Sequence, residues 1–216
     1  MSEPIRVAVV DYGAGNLVSI RNALLQLGAD VRVAEAPDQL EGAEVILVPG
    51  VGASEPAMSR LHRQGLVEPI TERVHAGTWF VGICLGLQLL FDISREDGAQ
   101  MLGLLEGTVE IIPDAPSLPH IGWNRLEIER PHPVLEGLPD GTPAYFVHSY
   151  VPVPADPGII VSRTEHGGRF ASLVASGRIL GFQFHPERSG ADGLRMLQNT
   201  LGLIAADRPA PAEVHA

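Results

Sequence analysis

Lysine is absent from the 216 residues, cysteine occurs once, and all 15 basic residues are arginine. Missing lysine reflects coding bias more than mechanism. A single cysteine excludes an intrachain disulfide, which fits a reducing cytoplasm. No apolar stretch approaches the length needed to span a bilayer, and MSEPIRVAVV lacks the basic, apolar and small-residue succession of a signal peptide. A soluble, non-exported, cytoplasmic protein is expected. The net charge of −11, with no long arginine cluster to offset it, argues against non-specific nucleic-acid binding. Neither a two-histidine helical motif nor a Cys/His cluster is present, so no metal and no cofactor are expected. No internal repeat or heptad run is visible.

The length fits one α/β unit that buries about 70% or more of the unfolded chain's surface. Arg6 to Val10 reads as a strand, followed by DYGAGN and a helix with Leu17, Ile20, Leu24 and Leu27 at helical spacing, stopped by Gly28. Strands follow at Asp30 to Ala34 and Glu44 to Val48, the latter ending in PGVGASEP, where Ser54 can cap the next helix. Helical segments run to about His75, and Gly77 stops them. Continuously apolar strands alternating with helices indicate a mostly parallel sheet covered on both faces, with function at the carboxyl ends of its strands. From Gly103 short strands take over: Leu104 to Ile112 as one strand or a hairpin, then Arg125 to Ile128, Tyr145 to Val153, Ile159 to Ser162, and a hairpin joining Phe170–Ala175 to Arg178–Phe184. Leu194, Leu197, Leu201 and Ile204 line a final helix. The expected organisation is one domain over residues 1–205 and a disordered tail over 206–216.

The centre of the chain is WFVGICLGLQLLFD, Trp79 to Asp92. It reads as a buried strand turning directly into an amphipathic helix (Leu85, Gln88, Leu89, Asp92), with Cys84 at the turn between Gly82 and Gly86. A lone cysteine is usually a small core hydrophobe. Glycines two residues to either side, at a strand-to-helix junction, instead match the spacing that raises a nucleophile on a strained elbow. A helix N-terminus there favours thiolate, and the Leu85 N–H is placed to meet an oxyanion. The base comes from RILGFQFHPERSG. His185 and Glu187 lie two apart, with Pro186 biasing His185 to the extended region, so both side chains are expected on one side of the chain. A carboxylate beside an imidazole fixes its tautomer, and Cys84, His185 and Glu187 make nucleophile, base and orienter.

GICLGLQLL followed by GFQFHPE resembles the class I, triad-type glutamine amidotransferases, a flavodoxin-like α/β fold with a central parallel sheet plus a small antiparallel one. DYGAGN, PGVG, LPHIGWN and YFVHSY narrow the resemblance to the glutaminase subunits of imidazole glycerol phosphate synthases, over about nine-tenths of the chain. The resemblance implies hydrolysis of L-glutamine to glutamate and ammonia through a thioester. It also implies a heterodimer with a (β/α)8 barrel cyclase that uses the ammonia. It places Gly52, Gln88, Glu96, His148, Ser149 and Tyr150 at the glutamine, with Glu96 on the α-ammonium group and the 148–150 stretch acting largely through its backbone. The second oxyanion donor is assigned to the Gly50–Gly52 loop, preferably the Val51 amide, with Gly52 beside it. If that peptide can flip, the hole forms only when the liganded partner docks.

Asn16, Trp123 and Arg188 are assigned to the partner interface, although for Trp123, read in a turn-rich segment, core packing is the plain alternative. His120 and Asn124 are expected to hold that segment. His62, His75, His132, His166 and His215 receive no role. DYGAGN is not a nucleotide loop, because Val18 stands where a third glycine is needed. Leu87 replaces the family's usual Met and Arg188 its usual Lys; the second change leaves the function of that position open. Three rivals remain: a triad glutaminase for another synthase, a cysteine hydrolase on the same fold, and a flavodoxin-like binding module with an inert Cys84.

Overall fold

The apolar, β-branched runs of the first half pair side by side. The computed structural model describes residues 3–13 and 17–208. In chain order the first half comprises Arg6–Val10 (β1), Leu17–Gln26 (α1), Asp30–Ala34 (β2), Val45–Gly50 (β3), Ser54–Arg63 (α2), Val67–His75 (α3), Trp79–Cys84 (β4) and Leu85–Gln88 (α4). The second half comprises Ile93–Ser94 (β5), Gly107–Ile111 (β6), His120–Arg125 (β7), Glu127–Ile128 (β8), Pro143–His148 (β9), Tyr150–Pro154 (β10), Ile160–His166 (β11), Gly168–Ser176 (β12), Ile179–Phe182 (β13) and Gly190–Ala206 (α5).

The main sheet has eight strands in the order β2-β1-β3-β4-β13-β12-β11-β8. The first five are parallel and the last three antiparallel. Its strands are apolar on both faces because both are covered: Val7 and Val9 pack into one core with α1 and α5, Ala8 and Val10 into another with α2 and α3. Two small sheets, β10-β6-β5 and antiparallel β7-β9, flank it. Among the described residues no helix is long and apolar enough to cross a membrane.

Four expectations are corrected. Ser54 does not cap α2: it lies inside the helix, and no side-chain cap bond forms at the N-cap, Ala53. The free amides are met from a distant loop instead. Asp97 Oδ2 accepts from the Glu55 N–H at 2.7 Å, and the Ser54 N–H bonds to Glu96. Secondly, α4 is a four-residue turn with no solvent face, since Leu85 to Phe91 are all buried. The N–H groups of Leu102, Gly103 and Leu104 take the carbonyls of Leu89, Phe91 and Leu90, which ends the helix. Thirdly, Tyr145 to Val153 is two strands broken at Ser149, and Trp123 lies in strand β7 rather than in turns. Fourthly, order extends past residue 205. Helix α5 runs through Ala206, Asp207 accepts from the Trp79 indole at 2.9 Å, and Arg208 binds Glu44 at 2.8 Å and the Pro4 carbonyl at 2.8 Å. The rest of the expected tail, 209–216, lies outside the described residues.

Candidate active site

Two adjacent parallel strands bring the proposed nucleophile and base together. Ile83 of β4 pairs with Phe182 of β13, so Cys84 leaves one strand end while His185, three residues past Phe182, leaves its neighbour. Gly50 at the end of β3 pairs with Cys84 on the other side, which sets the Val51–Gly52 loop beside the thiol. All lie at carboxyl ends, as in other open α/β sheets.

Cys84 adopts φ 54°, ψ −106°, a conformation that costs a non-glycine residue on the order of 1–3 kcal/mol. It is the elbow that the flanking glycines predict. They are required by close approach: a Cβ on Gly86 would stand 1.7 Å from the Val48 carbonyl oxygen, and one on Gly82 would stand 2.4 Å from that of Gly86. The first turn of α4 therefore lies directly on β3 and β4. Leu85, the first helical residue, has an N–H with no intrahelical acceptor. Val51 is 42% exposed and Gly52 has φ +102°, so the assigned second oxyanion donor stands at the rim of the site.

His185 Nδ1 lies 2.8 Å from Glu187 Oε1, with both side chains buried. The expected pairing is present, but its geometry differs from two residues along a strand. His185 is extended, and Glu187 sits in a 3-10 turn, Pro186–Arg188, that folds its carboxylate back onto the ring. Ser189 fastens the turn: its hydroxyl donates to the His185 carbonyl at 2.7 Å and accepts from the Tyr145 N–H at 3.0 Å. With Nδ1 on a carboxylate, Nε2 is left to take a proton. Nε2 has no well-aligned hydrogen-bond partner among the described residues, and the Cys84 thiol is the neighbour that couples to it. Burial alone disfavours a charged ring. The contacts with Cys84 and Glu187 outweigh it and raise the imidazole to about 10.

Gln88, expected at the substrate, is buried and braced. Its Nε2 donates to the Tyr150 carbonyl at 2.8 Å and to Gln183 Oε1 at 3.2 Å, which leaves only its own Oε1 for a ligand. The Tyr150 carbonyl also meets His148 Nδ1 at 3.0 Å, and that of Ser149 takes the Ile112 N–H. These two carbonyls brace the wall through bonds within the chain. Glu96 sits by the N-terminus of α2, its carboxyl raised by burial and by Asp97 and lowered by the Ser54 N–H.

His148 does more than line a pocket. Its Nε2 lies 3.2 Å from His120 Nδ1, and His120 Nε2 lies 3.2 Å from Asn124 Nδ2. Since His148 Nδ1 faces a carbonyl and must carry its proton, each tautomer follows in turn: Asn124 donates to His120, and His120 to His148. Burial holds both rings neutral, lowering His148 to about 3 and His120 to about 4. Two histidines left without a role acquire one. His166 stacks on His120 at 4.0 Å, and His132 accepts from the Val134 N–H.

Core packing is overturned for Trp123, which is 58% exposed beside Ile121 at 61%. It meets Tyr145 edge-on, and Arg188 lies 4.5 Å over the other aromatic's ring centroid, that of Tyr145. Asn16 lies outside the described residues. Sequence reasoning missed Gln183 and Ser189; the alternation of GFQFHPE, with Gln183 between buried phenylalanines, was the available signal. Among the described residues no cluster of His, Cys, Asp or Glu could hold a metal ion.

This sheet, with its elbow cysteine facing a carboxylate-held histidine, defines a class I glutamine amidotransferase, and the class I glutamine amidotransferase family model matches residues 8–202. A crystal structure of a glutamine amidotransferase superposes with TM-score 0.74 at 24% identity, covering 92% of this chain and 98% of that one. PurLQS from Thermotoga maritima gives TM-score 0.74 at 23% identity, covering 94% and 99%. Among curated proteins, imidazole glycerol phosphate synthase subunit HisH of Dehalococcoides mccartyi is 43% identical, with 94% of this chain and 99% of that protein aligned. The subunit HisH of Xanthomonas axonopodis pv. citri is 47% identical over 90% and 96%. The chain belongs to this HisH family.

Proposed function

We propose that the chain is the glutaminase subunit of an imidazole glycerol phosphate synthase and acts in histidine biosynthesis. It hydrolyses L-glutamine to L-glutamate and ammonia, which passes to a (β/α)8 barrel cyclase in a heterodimer. The supporting observation is a strained Cys84 coupled to the free face of an imidazole whose other nitrogen a buried carboxylate holds at 2.8 Å.

The steps follow from that geometry. Cys84 gives its proton to His185 Nε2, and Sγ attacks the side-chain amide carbon. The Leu85 N–H and the Val51–Gly52 loop hold the developing oxyanion. His185 returns the proton to the departing nitrogen, ammonia leaves, and a thioester remains. His185 then takes a proton from water as the oxygen attacks the thioester, and the thiol departs on regaining a proton. Glu187 keeps Nδ1 protonated throughout. Glu96 supplies a carboxylate for the α-ammonium group and Gln88 Oε1 an acceptor. Exposed Trp123 and Ile121, with Arg188 on Tyr145, form the face for the cyclase, a pattern of aromatic and arginine anchors. Work in the reducing cytoplasm keeps the lone thiol reduced.

The test is ammonia release from glutamine by wild type and Cys84→Ala, each with and without the cyclase and its nucleotide ligand. Wild-type release that the liganded cyclase stimulates, absent in Cys84→Ala, is expected. Equal turnover with and without the liganded cyclase would count against an oxyanion hole completed by docking. Release that survives Cys84→Ala would remove the proposed nucleophile.

A further inference from the structure

Deepening the glutaminase reading, on which it rests, we infer that Gln183 is a further catalytic group: a neutral donor aimed at the nucleophilic sulfur. Its Nε2 lies 3.8 Å from Cys84 Sγ, and the residue is fully buried.

Which end of the Gln183 amide faces sulfur is fixed by its surroundings. The Tyr150 carbonyl can only accept, so Gln88 must present Nε2 to it, at 2.8 Å. The second hydrogen on that nitrogen then points to Gln183 at 3.2 Å, which must answer with Oε1. Only Nε2 of Gln183 remains for Sγ. A reversed amide would set two N–H groups against each other and turn a carbonyl oxygen towards the sulfur. The backbone holds the residue as firmly: the Gln183 N–H donates to the Ser172 carbonyl at 2.9 Å.

The chemistry asked of this donor is specific. When Sγ carries its proton it has an acceptor in the Val147 carbonyl, 3.7 Å away. Once the proton moves to His185 Nε2, that carbonyl repels the thiolate. Gln183 then offers the anion a hydrogen bond without competing for the proton, because an amide does not titrate in this range. Bonds to a charged acceptor are shorter and about twice as strong as neutral ones, so the 3.8 Å contact tightens on ionisation. No bond other than S–H and N–H changes in this step.

The chain has one cysteine, so uptake of iodoacetamide reports Sγ alone. The experiment measures alkylation rate against pH for the full chain as wild type, Gln183→Met and Gln183→Glu, with thermal melting of each and glutaminase kinetics in the cyclase complex. The alkylation midpoint is expected to rise by about one pH unit in Gln183→Met, and further in Gln183→Glu, where an anion faces the sulfur. The kcat for glutamine should fall on the order of tenfold with KM little changed. Gln88→Met, which frees the Gln183 amide to turn, should shift the midpoint by a smaller amount, and it carries the test if neither Gln183 variant folds. An unmoved midpoint, even with a lower melting temperature, overturns the inference and leaves Gln183 as packing. Alkylation needs no glutamine: a wild type that alkylates as expected but releases no ammonia sinks the glutaminase reading, not the donor.

Discussion

Replacing Glu187 by Gln tests the base directly, because it keeps shape while removing charge. In the wild type the carboxylate lies 2.8 Å from His185 Nδ1, with side-chain exposures of 4% and 3% for the histidine and the glutamate. Burial is the largest single influence on the ring and acts against its charged form; the contacts with Cys84 and Glu187 reverse the balance and raise it from 6.5 to about 10. Without the carboxylate, burial regains ground and the ring stays neutral to lower pH. Nδ1 also loses the acceptor that fixes its proton, so Nε2 is no longer held facing the sulfur. Loss of that orientation costs on the order of 10²–10⁴ in kcat, or about 3–5 kcal/mol of barrier.

A stability signature accompanies the kinetic one. A histidine raised in the folded state contributes stability that is complete below its unfolded value, here 6.5, and is lost as pH climbs through about 10. The full gap corresponds to on the order of 5 kcal/mol, shared between Glu187 and Cys84, so the variant forfeits roughly half. Urea melts of wild type and Glu187→Gln should therefore differ by about 2 kcal/mol near pH 6 and converge towards pH 10. Glutaminase assays in the cyclase complex give the kinetic half. Activity within threefold of wild type, or a stability gap that widens with rising pH, would refute the assignment of Glu187 as the orienter.

Cys84→Gly should be more stable than Cys84→Ala by about 1–2 kcal/mol, since only glycine sits at φ 54° without strain, and both should release no ammonia; equal melting curves would remove the strained elbow. Gly86→Ala places a methyl where the Val48 carbonyl already stands and should cost about 3 kcal/mol or more, read in urea; a neutral result would mean the α4 turn can lift freely. Trp123→Ala, truncating a half-exposed ring, should change stability by less than about 0.5 kcal/mol while weakening cyclase binding at least about tenfold by calorimetry. Unaltered affinity would move the docking face elsewhere.

The site's two anchors were legible because each depends on a local constraint written in neighbouring letters. Gly82 and Gly86 bracket Cys84 because the chain must turn from strand to helix against Val48, and a pair of glycines two residues from a cysteine records that crowding directly. Pro186 after His185 records the extended backbone of His185, though not the turn that folds Glu187 back onto the ring. The parallel sheet was equally visible, since β1, β3 and β4 are buried on both faces and show unbroken apolar runs. Exposed Trp123 was ambiguous for a reason of the same kind: an aromatic in an alternating strand can face either way, and one sequence does not say which face a partner covers.

What stayed hidden depends on partners distant in sequence. Ser54 has the chemistry of a helix cap, yet the amides it could have met are taken by the 96–97 loop, some forty residues on, and no local pattern announces a cap supplied from elsewhere. Helix α4 has periodicity enough to continue, but the 102–104 segment occupies its terminal carbonyls. Gln183 is the sharpest case. In sequence it is a polar residue at the end of a buried strand, and its place at the sulfur emerges only when β13 is laid beside β4 in register and Gln88 turns its amide. A side chain whose meaning is set by which of two similar atoms faces a neighbour cannot be read before that neighbour is in place. The same holds for His120 and His148, whose tautomers are dictated by the Tyr150 carbonyl at one end of the chain of bonds and Asn124 at the other.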